Sequence, residues 1–197
     1  MTLKQQEKIL SKIKKIKAAL AADKRRWGGV YDDSRGLRYM PPQLYIKIGD
    51  YTESLKYLTW FHKNFPDDSG FPDFLFEWTI ILFKSGRDKE AEKKAFQTYC
   101  RNTYVFDKFF GRPIKPIDKS EYSNFEEPDF AIKYFDYSCM QDNLIDFAEW
   151  LDKFTQSEVF IRLSQKFIDI QKRLKTEQDT KIRHSLIEQE HQLESEL

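Results

Sequence analysis

The chain has 197 residues, of which 40% are hydrophobic and 16% aromatic; this is enough for a folded core and excludes a disordered chain. Its formal net charge is only +1, so the chain lacks the large positive charge that is typical of nucleic-acid-binding or membrane-surface proteins. The seven glycines and seven prolines are few and clustered, which favours long helices with defined breaks over many short strands.

Residues 1–23 are predicted to form a basic amphipathic helix. Its apolar stripe follows the 4-3-4 spacing of one helix face and consists of Ile9, Ile13, Ile16 and Leu20. Lysines occupy the other faces. Because the stripe must be buried, we expect this helix to dock on the chain's own fold; docking on a partner is the alternative.

The two ends of the sequence differ in charge. In residues 1–26 only Glu7 and Asp23 are acidic, and the basic residues are Lys4, Lys8, Lys12, Lys14, Lys15, Lys17, Lys24, Arg25 and Arg26. The last stretch is acidic, with Glu177, Asp179, Glu188, Glu190, Glu194 and Glu196. Two interpretations stay open: two solvated helix faces, or a basic first helix that meets the acidic last helix or an acidic partner.

Residues 24–40 are predicted to be a loop rich in glycine and aromatic residues. They show no helical period, and the mixture of glycine, aspartate, arginine and tyrosine is typical of a structured loop. This loop either wraps the first helix pair or offers a binding surface of its own. The adjacent acids Asp32-Asp33 and Asp67-Asp68 are interpreted as turn and helix-capping residues.

Two helix pairs follow, each with a glycine turn between its helices. The four helices are predicted over residues 41–48, 54–63, 73–84 and 88–100. Two prolines suit the first turn of the first of these helices. Gly49 and Gly86 lie 37 residues apart, and this repeat of helix, glycine turn and helix predicts stacked antiparallel pairs.

These residues resemble the tetratricopeptide repeat (TPR), a helix pair of about 34 residues with a large residue early in its first helix and a Gly-x-x-x-x-Ala turn. The first copy, over residues 39–66, is matched at Tyr45, Gly49, Ser54 and Pro66. The second copy, over residues 73–102, is matched at Leu75, Trp78, Leu82, Gly86 and Ala91. The second copy lacks the closing proline of the family pattern.

The resemblance implies an all-α fold, a TPR-like array of antiparallel helix pairs (an α-α superhelix) with flanking N- and C-terminal helices. It also implies a groove, lined by the first helix of each pair, that binds a protein or peptide partner. The residues expected in this groove are Tyr39, Gln43, Lys47, Phe76, Glu77, Ile80 and Lys84. The alternative for Phe76 and Ile80 is packing against a neighbouring helix.

The repeat pattern decays after Cys100. Two helices, over residues 129–140 and 143–154, are predicted to form a further pair, a degraded third repeat near residues 129–155 that extends the repeat domain over residues 41–155. Residues 157–197 are predicted to form one long C-terminal helix whose apolar stripe thins into a polar end. This helix is interpreted as a capping helix with an exposed end, and a homodimer through it is one option.

Few residues are suited to catalysis. The histidines His62, His184 and His191 are expected at the surface, and the last two lie about 10 Å apart by helical rise, too far to share a metal ion. Cys100 and Cys139 are expected to be free thiols. No phosphate-binding loop, nucleophile elbow or zinc-binding helix motif occurs. We therefore predict no catalytic residue, metal or cofactor.

No secretory signal or membrane span is predicted, so a cytoplasmic location is expected. The sequence predicts a non-catalytic interaction or scaffold protein that binds a partner protein or peptide. Two other classes stay open. One is a nucleic-acid-associated protein that uses the basic residues of 12–17 and 24–27, and the other is an enzyme of unknown class.

Overall fold

The computed structural model describes residues 1–197 and contains ten α-helices, three short 3-10 helices and no strand, which confirms the all-α class. The chain divides into two compact units, Met1–Ser69 and Gly70–Leu197. The division falls between the two predicted helix pairs, so each unit holds one pair. None of the helices combines the length and the apolar composition that crossing a lipid bilayer requires.

The first unit contains α1 (Leu3–Arg26), α2 (Met40–Ile48) and α3 (Tyr51–Asn64). α1 begins at a capping box, in which the Thr2 side chain accepts from the Gln5 amide and the Gln5 side chain accepts from the Thr2 amide. Its last turn is basic, which suits the negative end of the helix dipole. α1 therefore continues past the predicted boundary at residue 23.

α1 docks on the helix pair of its own unit. One hydrophobic cluster joins its apolar stripe to α2 and α3, and its buried members are Ile13, Ile16, Leu20, Leu44, Tyr45 and Tyr57. The predicted docking of the basic helix on its own fold is confirmed. Because helices gain most of their stability from packing an apolar face, this cluster is what holds α1 on the unit.

The segment after α1 is an ordered loop held by carboxylates. The Asp23 side chain accepts hydrogen bonds from the amides of Asp32 (2.8 Å) and Asp33 (3.2 Å). Asp33 has a φ of 31°, and its carboxylate accepts from the amides of Leu37 and Arg38, both at 2.9 Å. Asp33 thus has the turn-forming role that the sequence indicates.

The second unit contains α4 (Pro72–Lys84), α5 (Asp88–Arg101), α6 (Val105–Phe109), α7 (Pro128–Tyr134), α8 (Ile145–Thr155), α9 (Glu158–Thr176) and α10 (Thr180–Leu193). α4 packs on α5 and α8, while α9 packs on α5, α8 and α10. α4 is the most enclosed helix of this unit, since nine of its 13 residues are buried.

The turns of the two helix pairs have the same geometry. Gly49 (φ 70°) joins α2 to α3, and Gly86 (φ 69°) joins α4 to α5, both in the left-handed region that favours glycine. Ser54 and Ala91, at the small position after each turn, are both fully buried. The two predicted units of helix, glycine turn and helix are present.

The predicted third helix pair is wrong in its first helix. α7 ends at Tyr134 instead of near residue 140, and Phe135 continues in an extended conformation (φ −93°, ψ 109°). The Phe135 ring is 2% exposed and lies 4.9 Å from the ring of Phe76 in α4, centroid to centroid. Residues 129–155 therefore do not repeat the architecture of the two pairs, because the chain leaves the helix to bury this ring.

The predicted single C-terminal helix is broken between α9 and α10. Asp179 caps α10 by accepting from the amides of Lys181 (2.8 Å) and Ile182 (3.1 Å). Arg183 donates to the carbonyl groups of Leu174 (2.7 Å) and Glu177 (3.0 Å), which fixes the turn between the helices.

α10 folds back antiparallel to α9. The Gln171 amide donates to Glu190 (2.8 Å), and Lys166 pairs with Glu196 (3.2 Å) at the other end of the hairpin. Leu186 is completely buried and the last apolar position of α10 is almost so. These residues, predicted to lie on an exposed end or a homodimer seam, therefore pack within the chain.

Candidate binding sites

The groove residues predicted in the first unit differ in accessibility. Tyr39 is half-buried, and its hydroxyl donates to Asp68 (2.6 Å) and accepts from Arg38 (2.9 Å). Burial, followed by the hydrogen bond to Asp68, raises the pKa of Tyr39 to about 12. Gln43 is half-buried and Lys47 is exposed on α2. Only Lys47 thus presents a mostly solvated side chain.

Phe76 and Ile80 of α4 are core residues, each 0% exposed. The Phe76 ring lies 5.0 Å from Phe109 and 5.4 Å from Phe147, centroid to centroid. The physical reason is that α4 is apolar on nearly all of its faces, as is typical of a helix enclosed by others. The predicted contact of these two side chains with a partner is therefore wrong, and packing against neighbouring helices describes them.

The two charged residues predicted on α4 have partners inside the second unit. Glu77 is 3% exposed and accepts a hydrogen bond from the Tyr137 hydroxyl at 2.8 Å. Lys84 forms a salt bridge with Asp146 of α8 at 2.5 Å. Both side chains thus stabilise the packing around α4.

An open groove, here called the aromatic groove, lies at the beginning of α4. It has a volume of about 710 Å³ and is lined by Phe71, Asp73, Ser123, Asn124, Phe125, Phe130 and Tyr134. This volume is within the range of ligand-binding clefts, roughly 300–1,000 Å³. The four rings follow one another in space, with centroid distances of 4.7 Å, 5.7 Å and 5.9 Å in chain order. Tyr134 is 68% exposed.

The wall opposite α4 is a loop pinned by α5. The Asn102 side chain donates to the carbonyl groups of Phe125 (2.7 Å) and Glu127 (3.0 Å). Arg101 donates to the carbonyl of Gly70 (3.2 Å), which precedes α4. Hydrogen bonds therefore hold the loop and the segment before α4 that border the groove.

Asp73 supplies the one acidic side chain in the lining of the aromatic groove. Burial raises the pKa of this carboxyl group, backbone hydrogen bonds at the start of α4 oppose the shift, and the nearby charge of Asp136 adds to it. No lysine or arginine forms a salt bridge with Asp73. The groove thus combines aromatic walls with an unneutralised carboxyl group.

A smaller cavity, here called the α1–α3 pocket, lies in the first unit. It has a volume of about 290 Å³ and is lined by Lys17, Leu20, Ala21, Tyr31, Glu53, Lys56, Tyr57 and Trp60. Leu20 and Tyr57 are buried, whereas Lys17, Ala21 and Lys56 are exposed. The pocket therefore has an apolar floor, and Lys17 and Lys56 lie at its mouth together with Glu53, which forms a salt bridge with Lys56 at 2.5 Å.

Comparisons with known proteins do not assign the chain. No protein-family model, curated protein or solved structure matches it. The structure also contains no group of three or more histidine, cysteine, aspartate or glutamate side chains placed to hold a metal ion.

Sequence reasoning did not find the aromatic groove. Phe125, Phe130 and Tyr134 are spaced by five and four residues, which matches no single period, because the first lies in a loop and the others lie on α7. Phe71 and Asp73 stand at the start of a helix that the sequence did predict. The available signal was the density of aromatic residues in a polar segment.

Proposed function

We propose that this chain is a non-catalytic, TPR-like protein-binding protein whose aromatic groove takes a segment of a partner protein. The observation that carries the proposal is the row of four aromatic rings that lines an open groove beside Asp73, in which Phe130 is buried, Phe71 and Phe125 are half-buried and Tyr134 is exposed. Exposed aromatic surface of this kind is typical of interaction sites, because aromatic rings bury a large area with little loss of conformational freedom.

The two glycine turns support the TPR-like assignment. Gly49 and Gly86 adopt the same conformation, and the buried Ser54 and Ala91 let the helices of each pair approach closely. Proteins built from such pairs use the surface left open beside them to hold peptides. In this chain that surface lies at the start of α4, since the body of α4 is enclosed.

The chemistry of the groove defines its partner. The rings of Phe125 and Tyr134 would bury apolar side chains of the partner. A lysine or arginine between those side chains would neutralise Asp73 and gain attraction from the faces of the rings. The proposed ligand is therefore a short apolar segment with a central basic residue.

A cytoplasmic location is part of the proposal. Cys100 and Cys139 are both free thiols, as is usual in a reducing compartment. Burial raises the pKa of the Cys100 thiol well above its usual value, which keeps it protonated and unreactive. Fractionation of cells that express the chain should recover it with cytosolic markers.

Titration with blocked pentapeptides tests the groove. The probe has leucine at both ends, phenylalanine inside these and arginine at the centre; the comparison peptide has glutamate at the centre. We expect the arginine peptide to bind about tenfold more tightly, because only it neutralises Asp73. Its affinity should fall as the pH is lowered through the raised pKa of Asp73. Isothermal titration calorimetry measures both effects.

Three variants localise the binding. Asp73→Asn should remove most of the preference for arginine, and Tyr134→Ala should weaken binding about fivefold to tenfold. Tyr122→Ala is the matched control, because Tyr122 is 56% exposed and does not line the groove. Equal affinity for the two peptides, or an equal loss in the Tyr134 and Tyr122 variants, would contradict the proposal.

A further inference from the structure

The exposed basic residues of α1 form no salt bridge in the structure, although the charge of Lys17 acts on the carboxylate of Glu53 in α3. None of its lysine or arginine side chains forms a salt bridge; Lys24 instead donates to Asn64 (3.0 Å) and lies over the ring of Tyr31. Of the two acidic residues in α1, Asp23 is occupied by loop amides. The positive charge on the side of α1 that carries the exposed Lys14 and Lys17, here called the lysine face, is therefore left in large part for a partner to neutralise.

The α1–α3 pocket opens beside the lysine face. Lys17 and Ala21 lie on the same side of α1, one helical turn apart. The small Ala21 side chain leaves room above Leu20, which is 2% exposed and forms the floor. A volume of about 290 Å³ is suited to one or two apolar side chains. An anchoring site and a charged surface are thus adjacent.

The rings in the pocket favour an inserted side chain over stacked nucleobases. The Tyr31 ring packs 5.8 Å from Trp60, edge to face, and 4.9 Å from Phe65. Trp60 also packs 5.1 Å from Tyr57. Because their neighbours already cover these ring faces, they offer no free platform of the kind that single-stranded nucleic acids need.

We infer that the α1–α3 pocket and the lysine face together bind an acidic segment of a partner protein. An apolar side chain of that segment enters the pocket, and flanking carboxylates pair with Lys17 and its basic neighbours. This inference goes beyond the proposed function, because the site lies in the first unit and binds an acidic segment instead of a basic one. Neither site depends on the other for its test.

A labelled nonapeptide tests the inference. It has a central leucine flanked by glutamates, and the comparison peptide has serine in place of leucine. Lys17→Glu should weaken binding of the leucine peptide about tenfold, whereas Lys15→Glu should change it less than about threefold. The two variants carry the same change in charge, and residues two positions apart point to different sides of a helix. Fluorescence anisotropy with the full chain measures the affinities.

A variant that fills the α1–α3 pocket distinguishes the contribution of the inserted leucine to binding from the contribution of the charges. Ala21→Phe should lower the affinity for the leucine peptide about fivefold and leave the lower affinity for the serine peptide unchanged. Circular dichroism checks that the variant is folded. The inference is overturned if Lys15→Glu and Lys17→Glu have equal effects, or if Ala21→Phe has none. Tighter binding of an oligothymidine than of the leucine peptide would also overturn it, in favour of nucleic acid.

Discussion

The two helix pairs share their turns and differ in what covers them. In the first unit the pair is covered by α1 and by a loop held through Asp23 and Asp33. In the second unit the first helix of the pair is enclosed by an aromatic core from α6 and α8. A repeat motif thus specifies the pair itself, while the residues outside the motif decide which of its faces stays open for binding.

Substitutions of Phe76 and Gln43, two residues predicted for one groove, should differ most in their effect on the free energy of unfolding. Phe76→Ala should lower the free energy of unfolding by about 3–5 kcal/mol, because it removes a fully buried ring. Gln43→Ala, at a half-buried polar position, should change it by less than about 0.5 kcal/mol. Urea denaturation measures both. A loss below about 1 kcal/mol for Phe76→Ala would show that α4 is not enclosed.

Substitution of the turn glycines tests whether the two pairs are equivalent. Gly49 and Gly86 have left-handed φ angles, and a Cβ at either position meets no atom within 4 Å. Gly49→Ala and Gly86→Ala should therefore each cost about 1 kcal/mol, since the backbone strain is the same and no clash is added. Thermal unfolding of the two variants provides the comparison. Costs that differ by more than about twofold would break the equivalence of the turns.

The small buried position after each turn should give the smallest effect. The Ser54 hydroxyl is buried without a hydrogen-bond partner, whereas Ala91 has no polar group to satisfy. Ser54→Ala should raise the free energy of unfolding by about 0.5–1 kcal/mol, and the reverse exchange Ala91→Ser should lower it by a similar amount. The denaturation midpoints of the two variants show whether the free energy of unfolding rises or falls. Destabilisation by Ser54→Ala would mean that the hydroxyl contributes a favourable contact.

Local features of the fold were predictable from the sequence. Gly49 and Gly86 mark their turns because only glycine adopts that backbone conformation without strain. The stripe around Ile13 predicts docking because a helix with one apolar face must bury it. These features depend on neighbours in the sequence, so their period and spacing are sufficient to find them.

The enclosure of α4 and the aromatic groove were not predictable in this way. Phe76 is buried by rings as distant in sequence as Phe147, and Phe71 meets Phe125 across more than one helix. The break at Asp179 was missed because the apolar stripe continues on both sides of it. Each case depends on contacts between residues far apart in the chain, which no local pattern records.

The most direct test of two separate binding sites is a crossed titration of two variants with two peptides. Asp73→Asn should weaken only the arginine-centred peptide, and Lys17→Glu should weaken only the glutamate-rich leucine peptide, each by about tenfold. This result would place a site that binds a basic peptide in the second unit and a site that binds an acidic peptide in the first. If Lys15→Glu weakened the glutamate-rich peptide as much as Lys17→Glu does, the binding would reflect overall charge, and the assignment of the α1–α3 pocket would be contradicted. If Asp73→Asn left the affinity for the arginine-centred peptide unchanged, the assignment of the aromatic groove would be contradicted.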